Sequence, residues 1–217
     1  MKSLIFKDRV DAGKQLAERL AGRVERGGLV LAIPRGGVVV GAEIARKLGL
    51  EIDLIIPRKI GSPQNPEVAV GAVTQDGSTI LNKQLVEMLK ITELELEEAI
   101  SREIKEIKRR TALYRGTEEH KDMAGLQVVV VDDGVATGYT MFACLRSAKI
   151  LHPKELILAV PVAPPDTLAQ LKKEVDYAVC LHVPEDFYAV GQFYERFDQT
   201  RDEEVIKIIK ELKKVKE

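Results

Sequence analysis

Two adjacent carboxylates, Asp132 and Asp133, close a run of four valines (Val128, Val129, Val130, Val131) and lead into Gly134-Val135-Ala136-Thr137-Gly138-Tyr139-Thr140. Neighbouring acids repel, and burying them unpaired is costly, so two of them at the end of an apolar strand ask for a ligand that brings donors. A vicinal diol brings two, and a cation offsets the remaining charge. The segment behind the acids suits an anion. Its glycines let backbone approach closely, successive N–H groups form an anion nest, and the next helix contributes its N-terminal dipole. Thr137 and Thr140 add hydroxyls. A sugar diol at one end and a phosphomonoester at the other describe a ribose 5-phosphate. A plain strand–turn–helix junction capped by Asp133 or Thr137 is common, but an acid pair followed by this Gly/Thr spacing is not.

Two other places carry groups suited to anions. Pro34-Arg35-Gly36-Gly37 follows an apolar run, where Arg35 offers a forked cation and the glycines permit unusual backbone. Pro57-Arg58-Lys59 closes a second apolar run with a basic pair.

Positioning these groups calls for a parallel sheet. Near-continuous apolar runs at 29–33, 54–57, 128–131, 156–160 and 177–182 imply strands buried on both faces. Helical patterns fall between them, at about 8–25, 38–48, 138–151 and 165–173, with Gly27-Gly28 and Gly49 as stops. Residues 60–125 break this rhythm and read as an inserted lid. It comprises a turn-rich loop at 61–66, a hairpin of 68–73 and 78–81 turned by Gln75-Asp76-Gly77, and a charged helix to about residue 114 opened by a Thr92/Glu95 capping box. Acids and bases interleave along that helix (Arg102, Lys105, Lys108, Arg109 and Arg110 with Glu97, Glu98, Glu103 and Glu106), so an ion-paired surface or a dimer face is expected rather than the alternative, a phosphate clamp. Six of the ten Phe and Tyr residues lie between Tyr177 and Phe197, which marks residues 183–217 as a small aromatic hood; Thr200 and Glu203 suggest a capping box for a final helix. The whole, 1–217, reads as one α/β domain.

A net charge of −1 gives no general attraction to nucleic acid or to anionic membrane, so phosphate binding must come from local chemistry. No apolar run reaches a membrane span, and the start is too short of apolar residues for a signal peptide. Cys144 and Cys180 sit in apolar contexts as buried free thiols, and a cytoplasmic setting is expected. His120 and His152 read as surface and His182 as core, with no metal-ligand spacing.

The stretch from Asp132 to Thr140 resembles the phosphoribosyl-pyrophosphate motif of type I phosphoribosyltransferases: apolar strand, two acids, variable residues, Thr-Gly, one residue, Thr. The resemblance implies that family's Rossmann-like parallel-sheet core. It implies transfer of ribose 5-phosphate from phosphoribosyl pyrophosphate to a nitrogenous base, with Mg²⁺ bridging pyrophosphate and sugar. In that family the acids hold the ribose hydroxyls and meet the ion through them, a role that falls to Asp132 and Asp133. The phosphate falls to Gly134, Val135, Ala136, Thr137, Gly138, Tyr139 and Thr140. Arg35, Gly36 and Gly37 resemble the pyrophosphate loop, which often holds a non-proline cis peptide, and Arg58 and Lys59 resemble a basic pair that serves the leaving group. The aromatics Phe187 and Tyr188 occupy the place of a base-stacking ring, and Glu67 is the candidate general base. Ala136 stands where 6-oxopurine enzymes carry an aspartate, which turns the resemblance toward other acceptors. A homodimer is expected. A non-catalytic sensor of phosphoribosyl pyrophosphate is the competing reading; such regulators bind nucleic acid through a basic face, which this chain lacks.

Overall fold

The computed structural model describes residues 6–117 and 121–214. Five strands form a parallel sheet in the order β2 (Glu51–Leu54), β1 (Leu29–Ala32), β6 (Gln127–Val131), β7 (Glu155–Val162) and β8 (Tyr177–His182). The chain moves outward from β1 to β2, then returns to place β6 on the other side of β1. The order therefore reverses between β1 and β6, and such a switch point opens a crevice beyond the strands' C-terminal ends.

Burial on both faces follows from the apolar runs. Val30, Val129 and Val131 face one layer, formed by α1 (Arg9–Leu20), α2 (Gly36–Leu48) and α7 (Asp202–Lys214). Leu29, Leu31, Val128 and Val130 face the other, formed by α5 (Tyr139–Ile150) and α6 (Pro165–Leu171). All four valines before the acids are fully buried, each stabilising the fold by roughly 1.5–3 kcal/mol. The acids are thus placed by a strand that cannot shift register without exposing its neighbours.

The expected elements are present with adjusted ends. Helix α1 stops at Leu20 rather than near residue 25; the turn uses Gly22 at φ 76°, so Gly27-Gly28 is not its stop. Gly49 does end α2, at φ 67°. The second core strand ends at Leu54, earlier than expected, because Arg58 begins a separate strand. That strand, β3 (Arg58–Gly61), pairs antiparallel with β4 (Ala69–Val73), which pairs with β5 (Thr79–Leu81). The expected hairpin is therefore a three-stranded sheet. Its tip is fixed by Asp76, which accepts from the Ser78 and Thr74 hydroxyls and reaches Ser147 on α5. A short helix, α3 (Lys83–Met88), follows and was not expected from the sequence.

Helix α4 (Glu93–Arg115) opens on the expected capping box: the Thr92 N–H donates to Glu95 Oε2 at 2.9 Å, and the Glu95 N–H donates back to Thr92 Oγ1. It is not merely a charged surface. Ala99, Ile107, Thr111, Tyr114 and Arg115 are buried. Arg115 ion-pairs with Asp53 of β2 at 2.8 Å and donates to the Leu54 carbonyl, with both charged side chains under 5% exposed. Burial pushes the Arg115 guanidinium down, opposed by the Asp53 charge.

The C-terminal hood is tied to the start of α1: the Phe6 N–H donates to Phe193 O, and Glu195 N–H to Phe6 O. Helix α7 begins at Asp202, so Thr200 and Glu203 form no capping box. Cys144 is buried and Cys180 half-buried, both free thiols. His152 is exposed and His182 half-buried against Phe193; His120 lies outside the described residues. Among the described residues no helix is long and apolar enough to cross a membrane.

Candidate active site

A cleft of about 530 Å³ opens at the switch point. Its core wall is Ile33 and Pro34 after β1, Asp132 after β6 and Thr140 in α5. Its inserted wall is Arg58, Lys59 and Gly61 of β3, Glu67 in the following loop, and Glu103, Arg110 and Tyr114 of α4. Both ends of the ribose 5-phosphate motif and the basic pair thus border one cavity, although they come from sequence more than 70 residues apart.

The two acids have different surroundings. Asp132 borders the cleft; its Oδ1 accepts from the Asp133 N–H at 2.8 Å. Burial, then the Asp133 charge, pushes the Asp132 carboxyl well above the usual aspartate value. The Asp133 carboxylate instead turns to Arg9, whose Nε donates to Oδ2 at 2.7 Å. Arg9 also stacks on the Phe197 ring and donates to the Asp198 carbonyl. The buried Tyr194 hydroxyl donates to the Asp133 carbonyl at 2.6 Å, and its ionisation is pushed up by burial and then by the Asp133 charge. Asp133 is therefore gripped at its side chain by Arg9 of α1 and at its backbone by Tyr194 of the hood.

Glycines allow the pyrophosphate-type loop to press against these acids. A Cβ on Gly36 would overlap the Asp133 carboxylate and crowd Arg9 Nε; one on Gly37 would lie 2.9 Å from Asp132 Cα. The need here is for close approach, not for unusual φ. The peptide between Pro34 and Arg35 is cis. Arg35 NH1 reaches Asp202 Oδ1 at 3.4 Å, at the start of α7, and Arg35 does not border the cleft.

The phosphate-type loop is open to an anion. Gly138 takes φ 82° as the residue before α5, and the N–H groups of residues 136–139 donate to no protein group among the described residues. The Ala136 carbonyl accepts from the Thr167 hydroxyl, and the Val135 N–H donates to Val162 O, which together hold the loop's shape. Gly134 is pressed against Val190 of the hood. Thr140 borders the main cleft, whereas Thr137 and Tyr139 border a second recess of about 440 Å³ with Phe142 and Arg146. The Phe187 ring packs on Phe193, with centroids 5.4 Å apart, while Tyr188 is 89% exposed.

The inserted wall carries its two arginines paired. Arg58 Nε donates to Glu103 Oε2 at 2.6 Å and Arg110 Nε to Glu106 Oε1 at 2.8 Å. Lys59 is exposed and pairs with no carboxylate among the described residues. Three cations (Arg58, Lys59, Arg110) and three carboxylates (Glu67, Glu103, Asp132) border the cleft. With all six ionised, their formal charges balance. No group of three or more side chains suited to hold a metal occurs among the described residues. The cleft's own oxygen ligands for a hard cation are the carboxylates of Asp132, Glu67 and Glu103, each from a different element.

An acid pair at the switch point of a parallel sheet, an open amide loop leading into a helix and a basic edge across the cleft define a type I phosphoribosyltransferase domain. Residues 8–197 match the phosphoribosyl transferase domain pattern, and the chain belongs to that family. It is 39% identical over 202 residues to a provisionally named phosphoribosyl transferase of Mycobacterium tuberculosis, covering 93% of this chain and 46% of that protein. The chain thus spans about half the length of the curated relatives it matches. The crystal structure of TT1426 from Thermus thermophilus superposes with a TM-score of 0.80 at 40% identity, covering 96% of this chain and 99% of that one. A purine phosphoribosyltransferase from Pyrococcus horikoshii shares the fold at TM-score 0.51 and 18% identity, over 93% of this chain and 99% of that one.

Sequence reasoning missed Arg9, Tyr194 and Tyr114, and it set Glu103 and Arg110 down as ion-paired surface in preference to a phosphate clamp. Arg9 and Tyr194 reach Asp133 from both ends of the chain, and no local pattern announces them. The α4 residues had a signal: Glu103, Arg110 and Tyr114 recur at seven and four residues, one stripe of a helix.

Proposed function

We propose that this chain moves ribose 5-phosphate from phosphoribosyl pyrophosphate to a nitrogenous base, with release of pyrophosphate. The observation that carries this reading is the shared cleft: Asp132 and Thr140 border it on the core side, Arg58 and Lys59 on the inserted side. A sugar held by its hydroxyls at Asp132, with its 5-phosphate on the amides of residues 136–139, turns its C1 diphosphate toward Arg58 and Lys59. The C1–O bond to pyrophosphate breaks and a C1–N bond to the base forms, through a centre of oxocarbenium character. A Mg²⁺ ion held with the diphosphate beside Asp132 would supply neutralising charge to the leaving group.

The remaining work belongs to the chain. Asp132 accepts from a ribose hydroxyl, and its conjugate charge faces the developing positive centre. Asp133 keeps the strand end in place through Arg9 and Tyr194. Arg58 and Lys59 stabilise charge as it builds on pyrophosphate. Glu67, which borders the cleft, is the proposed acceptor of the proton from the incoming base. Tyr188, the exposed ring of the hood, is the available surface for stacking a base, whereas Phe187 is engaged with Phe193.

Calorimetry with phosphoribosyl pyrophosphate and Mg²⁺ tests the reading, followed by pyrophosphate release assayed across purines and pyrimidines. Saturable heat with the donor and release with one acceptor class are expected. A donor that produces no binding heat ends the proposal.

A further inference from the structure

We propose that Arg110, on the inserted helix α4, is a third cation for the pyrophosphate end of the ligand, held ready by Glu106. The assignment rests on the transferase reading above and adds a residue to its leaving-group subsite. Three observations lead to it. First, Glu103, Arg110 and Tyr114 lie on one stripe of α4, and all three border the cleft that Asp132 and Thr140 border from the other side. Second, Arg109 and Arg110 share one acid, yet only Arg110 faces the cleft. Their Nε atoms donate to Glu106 at 2.7 and 2.8 Å, but the Arg109 side chain is 62% exposed and that of Arg110 31%. Third, the far end of the stripe is fixed: the Tyr114 hydroxyl donates to Asp202 Oδ1 at 2.7 Å, the same oxygen that Arg35 NH1 approaches. Helix α4 is thus held beside the pyrophosphate-type loop.

Sharing matters energetically. Arg109 and Arg110 hold the Glu106 carboxyl down to about 2, so it is ionised throughout the neutral range. When a diphosphate oxygen draws Arg110 away, Glu106 keeps Arg109, and no carboxylate is left bare. The exchange replaces one charge-assisted hydrogen bond by another, and guanidinium geometry suits two phosphate oxygens at once. Arg58 and Glu103 differ, because among the described residues that carboxylate has no second arginine.

The test compares neighbours. Wild-type protein, Arg110→Gln, Arg110→Lys and Arg109→Gln are titrated with inorganic pyrophosphate in Mg²⁺, with thermal melts run in parallel. Both glutamine variants lose an ion pair to Glu106, so a purely structural role would affect them alike. Arg110→Gln should weaken pyrophosphate binding by about 10-fold or more, the scale of one hydrogen bond to a charged group. Arg109→Gln should stay close to wild type, and Arg110→Lys should recover part of the loss. Equal affinities for the two glutamine variants overturn the assignment while leaving the transferase reading intact. Failure of the wild type to bind pyrophosphate removes that reading, and the role of Arg110 with it.

Discussion

The two walls of the cleft hold charge in opposite ways. On the core wall, an acid is forced into a half-buried site beside a like charge, with backbone amides left open nearby. On the inserted wall, Arg58 and Arg110 each rest on a carboxylate. The core wall is prepared for its ligand at some cost to the unliganded fold, and its shape comes from a buried strand and close-packed glycines. The two arginines of the inserted wall are satisfied without ligand, and on the proposed reading Arg110 works by exchanging partners. A preformed site and an exchangeable one thus face each other across the same cavity.

The largest test of this contrast removes the anchor of the inserted wall. Arg115→Ala leaves Asp53 buried without its partner and should lower unfolding stability by about 3–5 kcal/mol, read by denaturant titration. Replacing both residues together, Arg115→Met with Asp53→Leu, should restore most of that. A small loss in the single variant would mean that α4 is held chiefly by its apolar face.

Next comes the acid of the core wall. Asp132→Asn should lower transferase turnover by about 100-fold or more, the scale of losing one preorganised electrostatic group. Its effect on stability should have the other sign. The folded-state carboxyl of Asp132 is raised above its usual value of 3.8, so it favours the fold below that pH, and this contribution is lost as pH rises through the raised value. Asparagine removes this pH-dependent loss. The variant should melt no lower than wild type at pH 8, and the difference should move in its favour between pH 4 and pH 8. A clear drop in melting temperature at pH 8 would contradict the raised state.

The smallest expected effect concerns Gly36. Alanine there must displace the Asp133 carboxylate or Arg9, which should cost about 1–3 kcal/mol of stability by overpacking. Donor binding should weaken in the same variant. Unchanged melting and affinity would show that the Arg9–Asp133 pair can move aside freely.

The core wall was readable in the sequence because it is contiguous. Val128 to Thr140 spells strand, acids, loop and helix within thirteen residues, and local chemistry dictates each step. The inserted wall was legible only in parts. Arg58 and Lys59 stood out as a basic pair, but Pro57 made them look like the end of a core strand; antiparallel pairing with Val73 and Ala72 makes them the start of another. Helix α4 was hidden by its own composition, since interleaved charges read as solvated surface. The face that matters emerges only when a buried Arg115 fixes the helix's rotation. Arg9 illustrates the remaining limit: its partner lies 124 residues away, a separation that no periodicity spans.

One side chain of the hood shapes the turn that carries Tyr188. The Gln192 amide donates to the Asp186 carbonyl at 2.9 Å and accepts from the Tyr188 N–H at 2.9 Å and the Ala189 N–H at 3.3 Å. Changing that amide would redraw a turn whose Val190 presses on Gly134, so the change would also be felt in the loop that follows strand β6. On the proposed reading, in which Tyr188 stacks the base, one amide then bears on the acceptor side and on the loop after β6 together, which ties a change of acceptor to the packing around Gly134.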